Sequence, residues 1–153
     1  MSSPTASSPS VALVTGAARG IGRAIALRLA KNGYDIGLND LPTSAEALEA
    51  LGKEITSLGQ CSYIALGDVT VPEAVEHMVS SVVENLGQLN VMVANAGICR
   101  VKPLLETEVS EWENMFAINA RSVFLCYKYA AQHMIKQGTG GRIIGAASAA
   151  GKT

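Results

Sequence analysis

Apolar residues in this chain gather in five short runs: Val11 to Val14, Asp35 to Leu38, Ser62 to Leu66, Asn90 to Ala94 and Arg142 to Ala146. Between them, apolar positions recur at helical spacing, as in Ile21, Ala24, Ile25 and Leu29. Strand-like and helix-like stretches that alternate in this way predict an α/β domain, a parallel sheet covered by helices on both faces. Four helices are expected. The first follows a glycine turn. Each of the other three opens at a capping box, in which a hydroxyl caps a backbone N–H and a Glu three residues later reciprocates. Those boxes are Thr43 with Glu46, Thr70 with Glu73 and Ser110 with Glu113, and the last helix runs long, from Ser110 to Lys136.

Right-handed crossovers, with the chain reversing direction after the third strand, give the doubly wound strand order 3-2-1-4-5. In that order Gly16, Asp68, Asn95 and Ser148 all follow the carboxyl ends of strands, so residues distant in sequence converge on one rim. Residues 11–153 read as one domain. Residues 1–10, dominated by Ser and Pro, read as a disordered tail.

The segment Thr15-Gly16-Ala17-Ala18-Arg19-Gly20-Ile21-Gly22 lies between the first strand and the first helix. Glycine permits the turn and the close approach of a pyrophosphate to bare N–H groups, and the helix points its partial positive end at that anion. Thr15, Gly16, Arg19, Gly20, Ile21 and Gly22 are therefore candidates to hold the diphosphate of a dinucleotide. Asp40 ends the second strand segment, placed to accept the ribose hydroxyls of NAD and to repel a 2′-phosphate. Arg19 pulls the other way, toward NADP, but Leu41 supplies no second positive charge, and NAD is the favoured cofactor. A plain glycine turn with a solvated aspartate is the rival reading. The strand before, the helix after and the acid beyond are independent requirements that weigh against it.

Composition narrows the partners. With 12 Lys and Arg against 13 Asp and Glu, the net charge is -1 and the basic residues are scattered, so neither nucleic acid nor a membrane surface is expected. No apolar run approaches the roughly 18 residues of a membrane span, and the first residues lack the pattern of a secretory signal; a cytoplasmic location is the expectation. Cys61, Cys99 and Cys126 form no Cys-x-x-Cys pair and read as buried small hydrophobes. His77 and His133 lie on separate helices without ligand spacing, so no metal is expected. The closing Gly151-Lys152-Thr153 evokes a triphosphate loop, but Ala146 stands where that loop needs its first glycine.

The glycine spacing with Thr15 ahead of it resembles the short-chain dehydrogenase/reductase family. Further segments match in order: Asp68-Val69 after the third run, Asn95-Ala96-Gly97 after the fourth, Asn119 in the long helix, and Ser148 after Gly141-Arg142-Ile143-Ile144. The resemblance implies a Rossmann fold, here incomplete, and adenine contacts for Asp68 and Val69, whose other reading is a turn leading into a helix. It gives Asn95, Ala96 and Gly97 a place flanking the cofactor. It has Ser148 hydrogen-bonding a substrate carbonyl or alcohol and Asn119 holding a water in a proton relay, although Ser148 in its run of small residues equally suits packing.

In that family a catalytic Tyr, with a Lys four residues after it, follows the serine. Here the residues four beyond Tyr34, Tyr63, Tyr127 and Tyr129 are Leu38, Gly67, Ala131 and His133. The resemblance thus implies an NAD(P)-dependent oxidoreductase of carbonyls and secondary alcohols, truncated before its Tyr-x-x-x-Lys motif and inactive alone. Val91 to Ile98 and Gly141 to Ala146 look most similar to the acetoin/diacetyl reductase branch, with 3-oxoacyl reductases as the near alternative. A non-catalytic dinucleotide-binding or interaction module is the other functional reading. The long helix lies where family members dimerise, so a homo-oligomer is expected.

Overall fold

Strand β1 (Val11–Thr15) is buried along its whole length and pairs on both sides, with β2 (Asp35–Asn39) and with β4 (Val91–Ala94). The computed structural model describes residues 9–148. Strands β3 (Ser62–Ile64) and β5 (Arg142–Gly145) complete a five-stranded parallel sheet in the order β3-β2-β1-β4-β5, the order expected from the sequence. The register aligns Thr15 with Asn39 and Val14 with Val93, which brings the carboxyl ends of the three central strands to one level.

Side chains alternate across the sheet and feed two cores. Ala12, Val14, Ile36 and Leu38 meet helices α1 (Gly20–Lys31) and α2 (Ala45–Ser57), with Ala26, Leu48, Leu51 and Ile55 fully buried. Val11, Leu13, Met92 and Ala94 meet α3 (Pro72–Leu86) and α5 (Ser122–Gln137), with Val79, Val82 and Ala130 fully buried. Each Val, Leu, Ile or Met side chain so removed from water contributes about 1.5–3 kcal/mol. Gly37 lets α3 approach: a Cβ there would lie 2.8 Å from a Val82 methyl.

Several local expectations give way. The third strand ends at Ile64 rather than Leu66, which is 42% exposed. The Asn39 side chain donates to the carbonyls of Ala65 (2.9 Å) and Gly67 (3.2 Å), and this turns the chain out of the ladder. None of the three predicted capping boxes forms. A 3-10 turn (Pro42–Ser44) leads into α2, whose N-cap Ser44 makes no side-chain cap bond. Pro72 opens α3, where its missing N–H costs nothing, and Thr70 gives both its N–H and its hydroxyl to Asp68 Oδ1 at 2.8 Å.

The box of the fourth helix is made by Glu108 and Glu111, because a carboxylate at the N-cap answers the same orphan N–H groups as a hydroxyl does. Lys102 and the Glu108 N–H both bond Glu111 and hold its carboxyl below the ordinary carboxylate range. The expected single helix from Ser110 to Lys136 is instead α4 (Val109–Phe116), a π-turn (Ala117–Arg121) and α5, so the described residues form five α-helices where four were expected. The Ser122 hydroxyl caps the Ile118 carbonyl at this break.

Only Cys126 is a buried cysteine; Cys61 and Cys99 are exposed, because each falls in a connection outside the sheet and helices. Most of the predicted tail, residues 1–8, lies outside the described residues, while the Ser10 carbonyl accepts the Asp35 N–H at 2.9 Å. Gly151-Lys152-Thr153 likewise lies outside them. Among the described residues no helix is long and apolar enough to cross a membrane, and no group of three His, Cys, Asp or Glu side chains is placed to hold a metal.

Candidate functional site

At the end of β1 the chain reverses through Gly16 (φ 65°) and Gly20 (φ 55°), backbone conformations that a Cβ opposes, and enters α1. The tightest point is Gly22. A Cβ there would strike the Gly16 carbonyl oxygen and lie 2.6 Å from Asn95 Nδ2, so the turn, the helix and the β4 loop meet where only a hydrogen fits. The N-cap of α1, Arg19, makes no side-chain cap bond, and the first turn carries no acidic residue. The first turn of this helix therefore carries no counter-charge of its own.

Asp40, just past β2, is fixed from behind. Its Oδ2 accepts the Ala18 N–H at 3.0 Å and its Oδ1 the Leu41 N–H at 2.9 Å. A carboxylate has about four lone-pair sites, so two bonds still leave it able to accept hydroxyl donors in front.

These groups open on one cleft of about 410 Å³. Its walls are Gly16, Arg19, Gly20, Ile21 and Gly22 from the turn, Asp40, Asp68 and Val69 from the loops after β2 and β3, and Asn95, Ala96 and Gly97 from the loop after β4. Leu41, Ile98 and Ile118 complete it and were not singled out from the sequence. Leu41 adjoins a residue that was, but Ile118 lies in the π-turn, for which the sequence carries no local signal. Ile21 is 73% exposed at this rim, an apolar side chain offered to solvent beside a row of polar backbone.

Three predicted residues stand apart from the cleft lining. Thr15 is buried behind it: its hydroxyl accepts the N–H groups of Asn95 and Ala96, each at 3.0 Å, and Asn95 Nδ2 donates back to the Thr15 carbonyl at 3.0 Å. Asn119 clamps the Ile98 backbone, accepting its N–H and donating to its carbonyl at 2.8 Å each. Ser148 follows β5 and is exposed. A larger hollow of about 690 Å³ beside Trp112 and Phe116 gathers none of the predicted site residues.

The cleft fits a dinucleotide on its own geometry: a cradle that a Cβ would fill, an uncapped helix start for an anion, and a pre-set carboxylate for hydroxyls. A family profile described as short chain dehydrogenase matches residues 10–153. The short-chain dehydrogenase/reductase eriH of Hericium erinaceus is 46% identical over 147 residues, which are 95% of this chain and 58% of that protein. Among solved structures, a short-chain type dehydrogenase/reductase from Mycobacterium marinum superposes with a TM-score of 0.90 at 34% identity, over 94% of this chain and 56% of its own. A short chain dehydrogenase from Burkholderia cenocepacia, solved in complex with NADP, superposes with a TM-score of 0.85 at 37% identity, over 92% of this chain and 56% of its own. The chain thus spans little more than half the length of the relatives it matches. Sequence match, strand order and glycine turn agree over nearly every residue, and the chain belongs to the short-chain dehydrogenase/reductase family.

Proposed function

We propose that these residues bind a nicotinamide dinucleotide, NAD in preference to NADP, for an oxidoreductase that interconverts a carbonyl and a secondary alcohol. The observation that carries this reading is the convergence of the Gly16–Gly22 turn, Asp40 and the Asn95–Gly97 loop on a single cleft. In it, Gly16, Arg19, Gly20, Ile21 and Gly22 hold the diphosphate, chiefly through backbone N–H groups. Asp40 accepts ribose hydroxyls, Asp68 and Val69 receive the adenine, and Asn95, Ala96 and Gly97 flank the cofactor. Thr15 acts from behind by fixing the loop after β4.

Hydride transfer is the chemistry the dinucleotide supplies when bound. In the same reading Ser148 hydrogen-bonds the substrate oxygen and Asn119 orders a water. Residues 1–153 contain no Tyr with a Lys four places on. Taken alone, they are expected to bind dinucleotide without turning it over, since no general acid/base of that type is present. Acetoin or diacetyl is the preferred substrate class, with 3-oxoacyl thioesters next.

Calorimetric titration of NAD and NADP into the folded protein tests this reading, alongside NADH consumption with diacetyl. Binding of NAD without turnover by residues 1–153 is the expected result. Absence of affinity for both nucleotides overturns the reading, and brisk NADH consumption overturns the claim of inactivity.

A further inference from the structure

Beyond Asp40 the dinucleotide cleft gives onto a second one of about 650 Å³. Arg19, Asp40 and Leu41 line both, so they form the ridge between them. The far side is built by Ala18, by Thr43 and Ser44 of the 3-10 turn, and by Glu46, Ala47 and Ala50 of α2. Resting on the site reading above, a ribose held by Asp40 sits at this ridge, and any group on its 2′-oxygen projects into the second cleft.

That space is open, and it offers a guanidinium and two hydroxyls that would suit a phosphate. Nothing of steric origin closes it. Two carboxylates, however, stand against the one guanidinium. Glu46 is exposed in the first turn of α2, and among the described residues neither it, Asp40 nor Arg19 belongs to an ion pair. Neither carboxylate has an ion-pair partner among the described residues to offset its repulsion of an entering phosphate, a repulsion that distance and screening moderate.

We propose that Glu46 is a second specificity-determining residue, which together with Asp40 excludes a 2′-phosphate by charge from a cleft large enough to admit it. Removing Asp40 alone leaves Arg19 balanced by Glu46. Removing both leaves a cation and two hydroxyls, and selectivity should invert only then. The inference depends on charge summed over the cleft rather than on the acid at the end of β2 by itself.

The test compares NADH and NADPH binding, by quenching of intrinsic fluorescence, to the native polypeptide that carries this sequence and to its Glu46→Gln, Glu46→Lys and Asp40→Asn/Glu46→Gln variants. Glu46→Gln should tighten NADPH about three- to tenfold and leave NADH within about twofold, Glu46→Lys should tighten it further, and the double variant should prefer NADPH. Raising the ionic strength should narrow the gap between the two nucleotides in the wild-type protein, because screening weakens repulsion and leaves a steric barrier unchanged. Unchanged NADPH affinity in Glu46→Gln and Glu46→Lys, with NADH still bound, overturns this inference alone. Failure of the wild-type protein to bind either nucleotide overturns the site reading and this inference with it.

Discussion

Thr15 and Asn95 hold each other reciprocally across the sheet: the Thr15 hydroxyl accepts the Asn95 N–H at 3.0 Å, and the Asn95 side chain donates to the Thr15 carbonyl at 3.0 Å. The pair joins the end of β1 to the loop after β4, which are the two sides of the dinucleotide cleft.

Replacing Thr15 by Val keeps the shape of the side chain and strands the N–H groups of Asn95 and Ala96 in a partly buried place. Such groups cost about 1–3 kcal/mol each when left unpaired, so the variant should lose about 2 kcal/mol or more in urea denaturation, whereas Thr15→Ser should stay near wild type. Equal stability of Thr15→Val and wild type would refute the lock.

Gly22→Ala forces a methyl against the Gly16 carbonyl and the Asn95 amide. The backbone must shift, at about 1–3 kcal/mol, and the shift falls on the turn itself. Dinucleotide affinity should drop more than the stability does, and titration of the folded variant with NADH checks this. Gly33→Ala serves as a contrast, because its strain comes from a positive φ of 89° alone, a Cβ there meets nothing within 4 Å, and it lies away from the cleft.

Asn119→Ala removes both bonds to the Ile98 backbone. These are exposed bonds, worth about 0.5–1.5 kcal/mol each at most. The expected signature is local: faster hydrogen exchange at the Ile98 amide with little change in global unfolding. Asn119→Asp, which keeps the acceptor and loses the donor, should retain most of the protection at that amide.

Burial pushes the Cys126 thiol up from an ordinary 9.0 to about 12. An acid whose pKa is raised on folding stays protonated in the native state while the unfolded chain ionises, so above pH 9 the unfolded state binds fewer protons and stability falls as pH rises. Between pH 8 and pH 10 the wild-type protein should lose about 1.4 kcal/mol more than Cys126→Ala, measured by denaturation at each pH. Thiol reagents should label Cys61 and Cys99 in the native protein and spare Cys126.

The parts of the fold legible in the sequence are those written as local pattern. Val11–Val14 and Val91–Ala94 are apolar throughout because both faces of a central parallel strand are covered, and glycines mark the turn because positions 16 and 20 take a positive φ and a Cβ at 22 would strike the Gly16 carbonyl. The cleft could be read for the same reason, since its residues follow strand ends. What escaped depends on competition between neighbours. Thr43, Thr70 and Ser110 each look like caps, yet Pro72 and the Glu108–Glu111 pair offer better starts nearby, and Asp68 captures Thr70. The π-turn at Ala117–Arg121 inserts one residue into an otherwise regular helical pattern, and Ile118, which lines the cleft, and Asn119, which bonds Ile98, both lie in it. Cys61 and Cys99 escaped because the burial habit of cysteine is an average, overridden where the chain runs outside the sheet.

Strand β1 lies at the centre of the sheet although it comes first in the chain, and its partner β4 follows some 80 residues later. During synthesis on the ribosome, β1 can take up β2 early, but its other flank stays bare until residues 91–94 have emerged. The cofactor cradle therefore cannot close before the loop after β4 has emerged, and the half-made sheet presents an apolar edge to its surroundings meanwhile, an interval when a nascent chain is exposed to wrong pairing.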